Sequence, residues 1–423
     1  MKMQDSRYYQ LKKMWREYLT SAPALQQADR WLTDYFRKNK RFGSRDRKLY
    51  SESFFAALRF ALPVLRMNLP ELDEENLEPE SYPAHFLNIP DDVFFSDLKI
   101  FASFLPIGSR ELSKKEITNR FCSDTLPAWL REHLLERKKR SNWDSSLQKS
   151  FLEQLESKPP LYIRLNYPER KSHISKELQS EGFEIQETSL ENCLALKGAL
   201  SVFELSAFKR GEFEIQDLAS QYIGQMVDAH PGMMIWDACA GGGGKTIQLA
   251  SALQNRGRVY ASDIREWKLD DIRKRARRAR FSNIVRLPWN GEQLPEFPKE
   301  VKKRGGFHRI LVDAPCSSSG TMRRNPDVRY RLHRSQLQEL TELQFTILQN
   351  ASGALRPGGK LIYATCSFIP AENEEIAEKF IRLNPNFQME KSSMHGSPSF
   401  NADCMYTSVF VKSSLPIAND LNQ

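Results

Sequence analysis

The chain has 423 residues, of which 40% are hydrophobic and 11% aromatic. That is enough apolar material for large cores, and it excludes a mainly disordered or low-complexity protein. Lys and Arg number 62 against 53 Asp and Glu, a formal net charge of +9, which is compatible with a polyanionic partner without requiring one.

At roughly 100–200 residues per domain the length suits two or three domains. The longest apolar stretch, 54–65, is broken by Arg59 and Pro63 and falls short of the roughly 20 residues of a membrane span. The N-terminal residues lack the apolar core of a signal peptide, so a cytoplasmic protein with no membrane partner is expected. The six cysteines, at 122, 193, 239, 316, 366 and 404, do not read as a disulfide framework. In such a protein most cysteines are buried thiols and an occasional one is catalytic.

Residues 1–155 read as helical, with apolar positions at helical spacing over 8–19 and 54–65. The basic stretch 37–48 between them reads either as a solvated turn leading to a helix capped by Ser44, or as a phosphate-contact surface. The acidic, Pro-containing stretch 69–90 reads as a surface loop. Lys158-Pro159-Pro160 forms a linker. A strand over 161–166 and a helix over 172–181, ended by Gly182, make a small α+β subdomain spanning 156–205.

From 206 to 415 strands and helices alternate, with 416–423 left as a tail. Strands are expected at 233–236, 259–262, 284–287, 310–312 and 360–364, and helices at 246–254, 266–281 and 335–354. This is the pattern of a doubly wound, mostly parallel sheet, in which ligands bind beyond the carboxyl ends of the strands.

Those ends carry the chemistry. After the first strand of this domain come Asp237-Ala238-Cys239-Ala240-Gly241-Gly242-Gly243-Gly244-Lys245-Thr246. The glycines let the backbone approach a ligand, and a helix opening at Lys245 adds its positive dipole end. Two ligand classes fit. Gly244-Lys245-Thr246 could close a P-loop, although Cys239 stands where its first glycine belongs. Otherwise Cys239, Ala240, Gly241, Gly242, Gly243, Gly244 and Lys245 cradle a nucleoside cofactor. Asp263, at the end of the next strand, would then grip its ribose hydroxyls. Asp263 could equally be a helix N-cap. Asn290, after the third strand, could bond an adenine amino group, or simply form an Asn-Gly turn.

Asp313-Ala314-Pro315-Cys316 follows the fourth strand and Thr365-Cys366-Ser367 the fifth. Two thiols and an acid at neighbouring strand ends beside a nucleoside cofactor suggest pyrimidine methylation. Carbon 5 of cytosine is too electron-poor to take a methyl group directly. A thiolate adding to carbon 6 makes carbon 5 nucleophilic, and a second group must help remove the carbon-5 proton.

With these motifs in place, the chain resembles the Sun/Fmu-type RNA (cytosine-5) methyltransferases. Phe213-Glu214-Ile215-Gln216-Asp217-Leu218-Ala219-Ser220-Gln221 is similar to the family's approach segment. The stretch 239–246 is similar to its first cofactor motif, Asp313–Cys316 with Arg324-Asn325-Pro326-Asp327 to its fourth, and Thr365-Cys366-Ser367 to its sixth. The resemblance implies a Rossmann-like S-adenosylmethionine-dependent α/β domain, an N-terminal helical RNA-binding domain and a small RRM-like subdomain. It implies Cys366 as the attacking thiolate, Cys316 as the group that assists release, and Asp313 touching both cofactor and target cytosine. It also implies S-adenosylmethionine held by the glycine loop, Asp263 and Asn290, RNA (rRNA ahead of tRNA) as substrate, no metal, and a monomer. Two departures stand out. Glycine replaces the family's proline in the loop, and Asn290 stands where the third motif carries Asp.

The segment 265–280 holds eight basic residues, Arg265, Lys268, Arg273, Lys274, Arg275, Arg277, Arg278 and Arg280, against three acids. With Arg323, Arg324, Arg329 and Arg331 and the basic stretch 37–48 it is expected to form a basic, phosphate-tracking rim around the cleft. A target cytosine would have to leave its stack to reach Cys366, and Cys366 needs a positive neighbour to ionise. A non-catalytic RNA-binding ribosome-assembly factor and, behind it, a P-loop NTPase are the alternatives.

Overall fold

The structure is a computed structural model and describes residues 3–22, 24–74, 77–101, 125–198 and 201–414. Cys122, expected as a packing thiol, and the tail from 416 lie outside them. Two compact units emerge, Met1–Lys158 with Ser317–Leu337, and Pro159–Cys316 with Gln338–Gln423. The division at 158/159 falls on the Lys-Pro-Pro linker. Among the described residues no helix is long and apolar enough to cross a membrane.

Among the described residues the helices of the first unit are Met3–Leu19, Ala28–Lys38, Ser44–Asn68, Tyr82–Leu87, Asp91–Phe101, Ala128–Arg140, Ser145–Glu156 and Val328–Arg331. The first five close on an aromatic core in which Trp15 stacks on Phe94 and Trp31 on Phe54, at 5.0 and 5.3 Å between ring centres. Two expectations need correction. Ser44 is the first helical residue, not the cap, and Gly43 before it makes no side-chain cap. The stretch 69–90 is not merely a loop, because Tyr82 and Phe86 turn inward from a short helix to join the core. The helical reading of 54–65 holds, with Pro63 inside a helix that runs to Asn68.

The segment after Cys316 belongs to this helical unit. Tyr330 is fully buried, edge-on to Tyr82 and Phe86. Its hydroxyl donates to the Leu58 carbonyl at 2.9 Å and accepts from the Leu62 N–H at 3.2 Å. Arg59, buried beside it, donates to the Arg323 carbonyl. The burial lowers the Arg59 pKa to about 9. Two of the four arginines expected in a basic rim from this segment, Arg323 and Arg329, are therefore interior, while Arg324 and Arg331 are half-buried. Arg323 is buried and spends its donors on Ser157 and the Lys158 carbonyl. Arg329 is buried too, and Arg331 pairs with Asp327. A guanidinium carries five donors, and here Arg323 spends its own on Ser157 and Lys158 within the same unit.

The second unit holds two sheets. The small one is antiparallel, built from β1 (Leu161–Leu165), β2 (Glu184–Glu187), β3 (Cys193–Lys197) and β4 (Phe213–Ile215) in the order β2-β3-β1-β4. Its fourth strand comes from beyond residue 205, inside the approach segment, because three residues are too short a run to read as a strand by alternation. The large sheet comprises β5 (Met234–Asp237), β6 (Arg258–Ala261), β7 (Ile284–Arg286), β8 (Phe307–Asp313), β9 (Leu355–Thr365), β10 (Phe387–Gly396) and β11 (Cys404–Lys412). Its order is β10-β11-β9-β8-β5-β6-β7, with β11 running antiparallel between β9 and β10. The parallel strands β5, β6, β8 and β9 are almost wholly buried, as strands covered on both faces must be.

Register aligns the strand ends. Asp237 lies opposite Ala261 on one side and Leu311 on the other, and Asp313 lies opposite Ala364. The glycine loop, Asp263, the Cys316 loop and the Cys366 loop thus leave the sheet on one edge.

Candidate active site

The two loops that carry Cys316 and Cys366 meet. Their sulfurs are 3.3 Å apart, and the Cys366 N–H donates to the Cys316 sulfur at 3.3 Å. Both thiols are half-buried. A buried polar network behind them sets this spacing. Gln344 Nε2 donates to the Pro315 carbonyl at 2.9 Å and to Glu372 at 3.0 Å. The other oxygen of Glu372 takes the Ser367 hydroxyl, and Asn373 Nδ2 donates to the Ser367 carbonyl. Gln344, Glu372 and Asn373 are all fully buried. One carboxylate therefore ties the residue before Cys316 to the residue after Cys366. The sequence reading missed these three residues; Glu372 and Asn373 lie close after Thr365-Cys366-Ser367, whereas Gln344 has no such trace.

Lys245, at the start of the helix behind the glycine loop, pairs with Asp313. Its Nζ donates to Asp313 Oδ2 at 2.7 Å, with its side chain 10% exposed and that of Asp313 27%. Burial works against the ammonium. The Asp313 carboxylate and its hydrogen bond, with Cys366 and Asp237 behind them, outweigh that and raise the Lys245 pKa.

Asp237 ends β5 beneath this pair and is fully buried. Burial pushes its carboxyl up to about 7 against the opposing Thr246 hydrogen bond, and the nearby Asp313 adds to the rise. Thr246 Oγ1 donates to Asp237 Oδ2 at 2.7 Å, whereas Oδ1 has no partner among the described residues. With Thr246 buried and committed to Asp237, and Lys245 committed to Asp313, the P-loop reading loses both the hydroxyl and the lysine it requires. Cys239 lies among the same acids; burial and Asp237, Asp313 and Asp263 raise its pKa.

The remaining cofactor candidates gather around the glycine loop. Gly241 and Gly243 have φ of +52° and +82°, a region that favours glycine. A Cβ on Gly243 would come 2.6 Å from Ile272. The Ala240 N–H donates to the Ser262 carbonyl and the Gly243 N–H to Ala240, and the helix Gly244–Ala252 begins at the loop's end. Asp263 accepts from the Gly241 N–H at 2.9 Å and from the Arg265 N–H. It is not the N-cap, which is Arg265. Asn290 is exposed and forms an Asx turn onto Glu292, the simpler of its two readings. It also lines a cleft of about 290 Å³ with Asp263, Ile264, Pro288 and Trp289. A buried carboxylate, an apolar wall and a strained glycine loop side by side fit a nucleoside cofactor.

Cys193 and Cys404 are buried packing thiols, as expected, and burial pushes Cys193 up to about 11. The basic helix, Glu266–Arg278, is only partly free. Arg275 and Arg278 both bind Glu214, whose side chain is 3% exposed.

Residues 224–414 match the model of the family described as 16S rRNA methyltransferase RsmB/F. The chain is 31% identical over 266 residues, 62% of its own length, to ribosomal RNA small subunit methyltransferase B of Pasteurella multocida, and 30% identical over 281 residues to the protein of that name in Klebsiella pneumoniae. These alignments span 58% and 61% of the relatives' own lengths. Among solved structures, PH0851 superposes with a TM-score of 0.71 at 19% identity, over 95% of this chain and 99% of that one. NSun6 from Pyrococcus horikoshii, determined with SFG, superposes at 0.56 and 18%, over 69% of this chain and 99% of that one. At those identities the two structures establish likeness of fold.

Proposed function

We propose that the chain, whose residues 224–414 match the 16S rRNA methyltransferase RsmB/F family model, is a member of that family and methylates carbon 5 of a cytosine in RNA through a covalent adduct on Cys366. S-adenosylmethionine is the methyl donor, and when bound it supplies an electrophilic methyl on a sulfonium. Small-subunit ribosomal RNA is the favoured substrate, in keeping with the names of the relatives, and transfer RNA comes second. The protein acts in the cytoplasm.

The observation that carries this reading is the pair of thiols 3.3 Å apart beside the Lys245–Asp313 ion pair. Cys366 adds as a thiolate to carbon 6, opening the 5,6 double bond, and the electron pair released at carbon 5 takes the methyl group. Lys245 provides positive charge next to that thiolate. Asp313 both seats Lys245 and, through its other oxygen, accepts from the exocyclic amine of the base. Cys316 helps remove the carbon-5 proton. The electrons of that C–H bond then restore the double bond, and the Cys366 sulfur leaves. Glu372 and Gln344 hold the two loops so that both sulfurs reach one base. Asp263 and the cleft at Trp289 and Asn290 hold the nucleoside of the cofactor, and the glycine loop holds its amino-acid end.

The test is bisulfite sequencing of RNA from cells with and without the gene, paired with methyl transfer from labelled S-adenosylmethionine to that RNA by the purified protein. A cytosine that loses protection from conversion when the gene is removed, and regains it with the protein, supports the reading. Tight RNA binding with no transfer would favour the non-catalytic assembly factor.

A further inference from the structure

The glycine loop poses a physical problem. Glycine loses more conformational freedom on ordering than any other residue, and Gly241 to Gly244 stand in a row. A loop of this composition must be held from outside if it is to meet a ligand preformed.

Arg275 reaches it. Its Nη1 donates to the Gly242 carbonyl, while Nε and Nη2 both rest on Glu214 Oε2 at 3.2 and 2.9 Å. Arg278 takes the other oxygen of Glu214 at 2.5 Å and lies over the Phe208 ring. Glu214 is in β4 of the small sheet and is almost completely buried. The guanidinium is thus fixed by two bonds on one side and spends its remaining arm on the loop. Such charge-assisted contacts are stronger than neutral ones and are geometrically specific.

The position of the contact matters. The Gly242 carbonyl and the Gly243 N–H belong to one peptide plane. Arg275 holds the carbonyl, and the Ala240 carbonyl accepts from the N–H at 2.9 Å, so the plane is pinned at both ends. Asp263 pins the preceding N–H of Gly241. Among the described residues nothing accepts the N–H of Gly242, which is left for a ligand.

We propose that Arg275, seated by Glu214, is a positioning residue for the cofactor. It braces the glycine loop in its binding conformation and so makes cofactor affinity depend on the small sheet. The inference rests on the reading of that loop as the S-adenosylmethionine site. It is distinct from the phosphate-tracking role expected for this helix, which suits exposed Arg273 and Arg277 but not Arg275.

Kinetics and calorimetry on the full chain separate the possibilities. Arg275→Met should raise KM for S-adenosylmethionine and the Kd of sinefungin about tenfold, with kcat at saturating cofactor and KM for RNA within twofold of the unaltered protein. Glu214→Gln should cost about threefold in the same constants. The double variant should be no weaker than Arg275→Met alone, because the two residues act as one device. Arg275→Lys keeps the charge but cannot hold both partners, and it should fall between; it serves if Arg275→Met folds poorly. Lys197→Met, exposed on the same small sheet, should change neither cofactor constant. Unchanged cofactor affinity in Arg275→Met, or a loss confined to kcat and thermal stability, overturns the proposal. Failure of the unaltered protein to bind sinefungin would instead overturn the cofactor reading, and this inference with it.

Discussion

Replacing Lys245 by Met removes the ammonium from the centre of the site while keeping most of the side chain's volume. The pair it breaks is 2.7 Å long and mostly shielded from water. Removing one partner of a buried pair costs about 3–5 kcal/mol, because the other charge is left uncompensated. Asp313 keeps some solvent access, which places the loss near the lower end, about 3 kcal/mol. That figure is a cost in folding stability; removing a preorganised polar group from a reacting centre raises the barrier by about 3 kcal/mol, a fall of about a hundredfold in kcat/KM. The assay is transfer of labelled methyl to the RNA identified by bisulfite sequencing, with thermal unfolding measured in parallel to correct for inactive protein. Lys245→Arg retains the charge and should recover part of the loss. Activity in Lys245→Met within threefold of the unaltered enzyme would refute the role given to this lysine.

Two further outcomes follow from buried polar groups. Asp237 holds its proton more tightly in the folded than in the unfolded chain, with its carboxyl pushed up to about 7. Its contribution to stability is therefore complete below the ordinary carboxylate pKa of about 4 and is lost as pH rises from there to about 7. Asp237→Asn keeps an acceptor for Thr246 and should flatten that decline in chemical-denaturation curves; an unchanged slope would contradict the assignment. Tyr330→Phe removes the hydroxyl bonded to the Leu58 carbonyl and the Leu62 N–H. It should destabilise the helical unit by about 1–3 kcal/mol, read as a shifted denaturant midpoint, with no change in cofactor affinity.

Five of the seven strands of the large sheet were legible because short apolar runs alternate there with helical segments, and the chemistry sits where such a sheet must put it; β10 and β11 were not read. Cys316, Cys366, Asp313 and Asp263 could be found by reading the residues just after each strand. Spatial pairing across distant segments was not legible. Lys245 reads as the start of a helix until the register of β5 and β8 brings it to Asp313. Glu372 and Gln344 carry no motif of their own, and only the fold shows them joining two loops. The arginines misled for the same reason. Composition makes Arg323, Arg329 and Arg275 look like phosphate ligands, whereas burial beside carbonyls and Glu214 gives them interior work. Tyr82 and Phe86 were hidden by acidic, proline-bearing neighbours although their rings reach the core.

The central claim is that Cys366 attacks and Cys316 releases. It is tested most directly by incubating Cys316→Ser protein with the substrate RNA and S-adenosylmethionine, denaturing, digesting and locating any nucleotide-bearing peptide by mass spectrometry. The account predicts a covalent RNA–protein complex that survives denaturation, carries methylated cytidine on the Cys366 peptide, and vanishes in the Cys316→Ser, Cys366→Ser double variant. Continued turnover by Cys366→Ser, or a stable complex formed by it through Cys316, would contradict the account and reverse the two thiols.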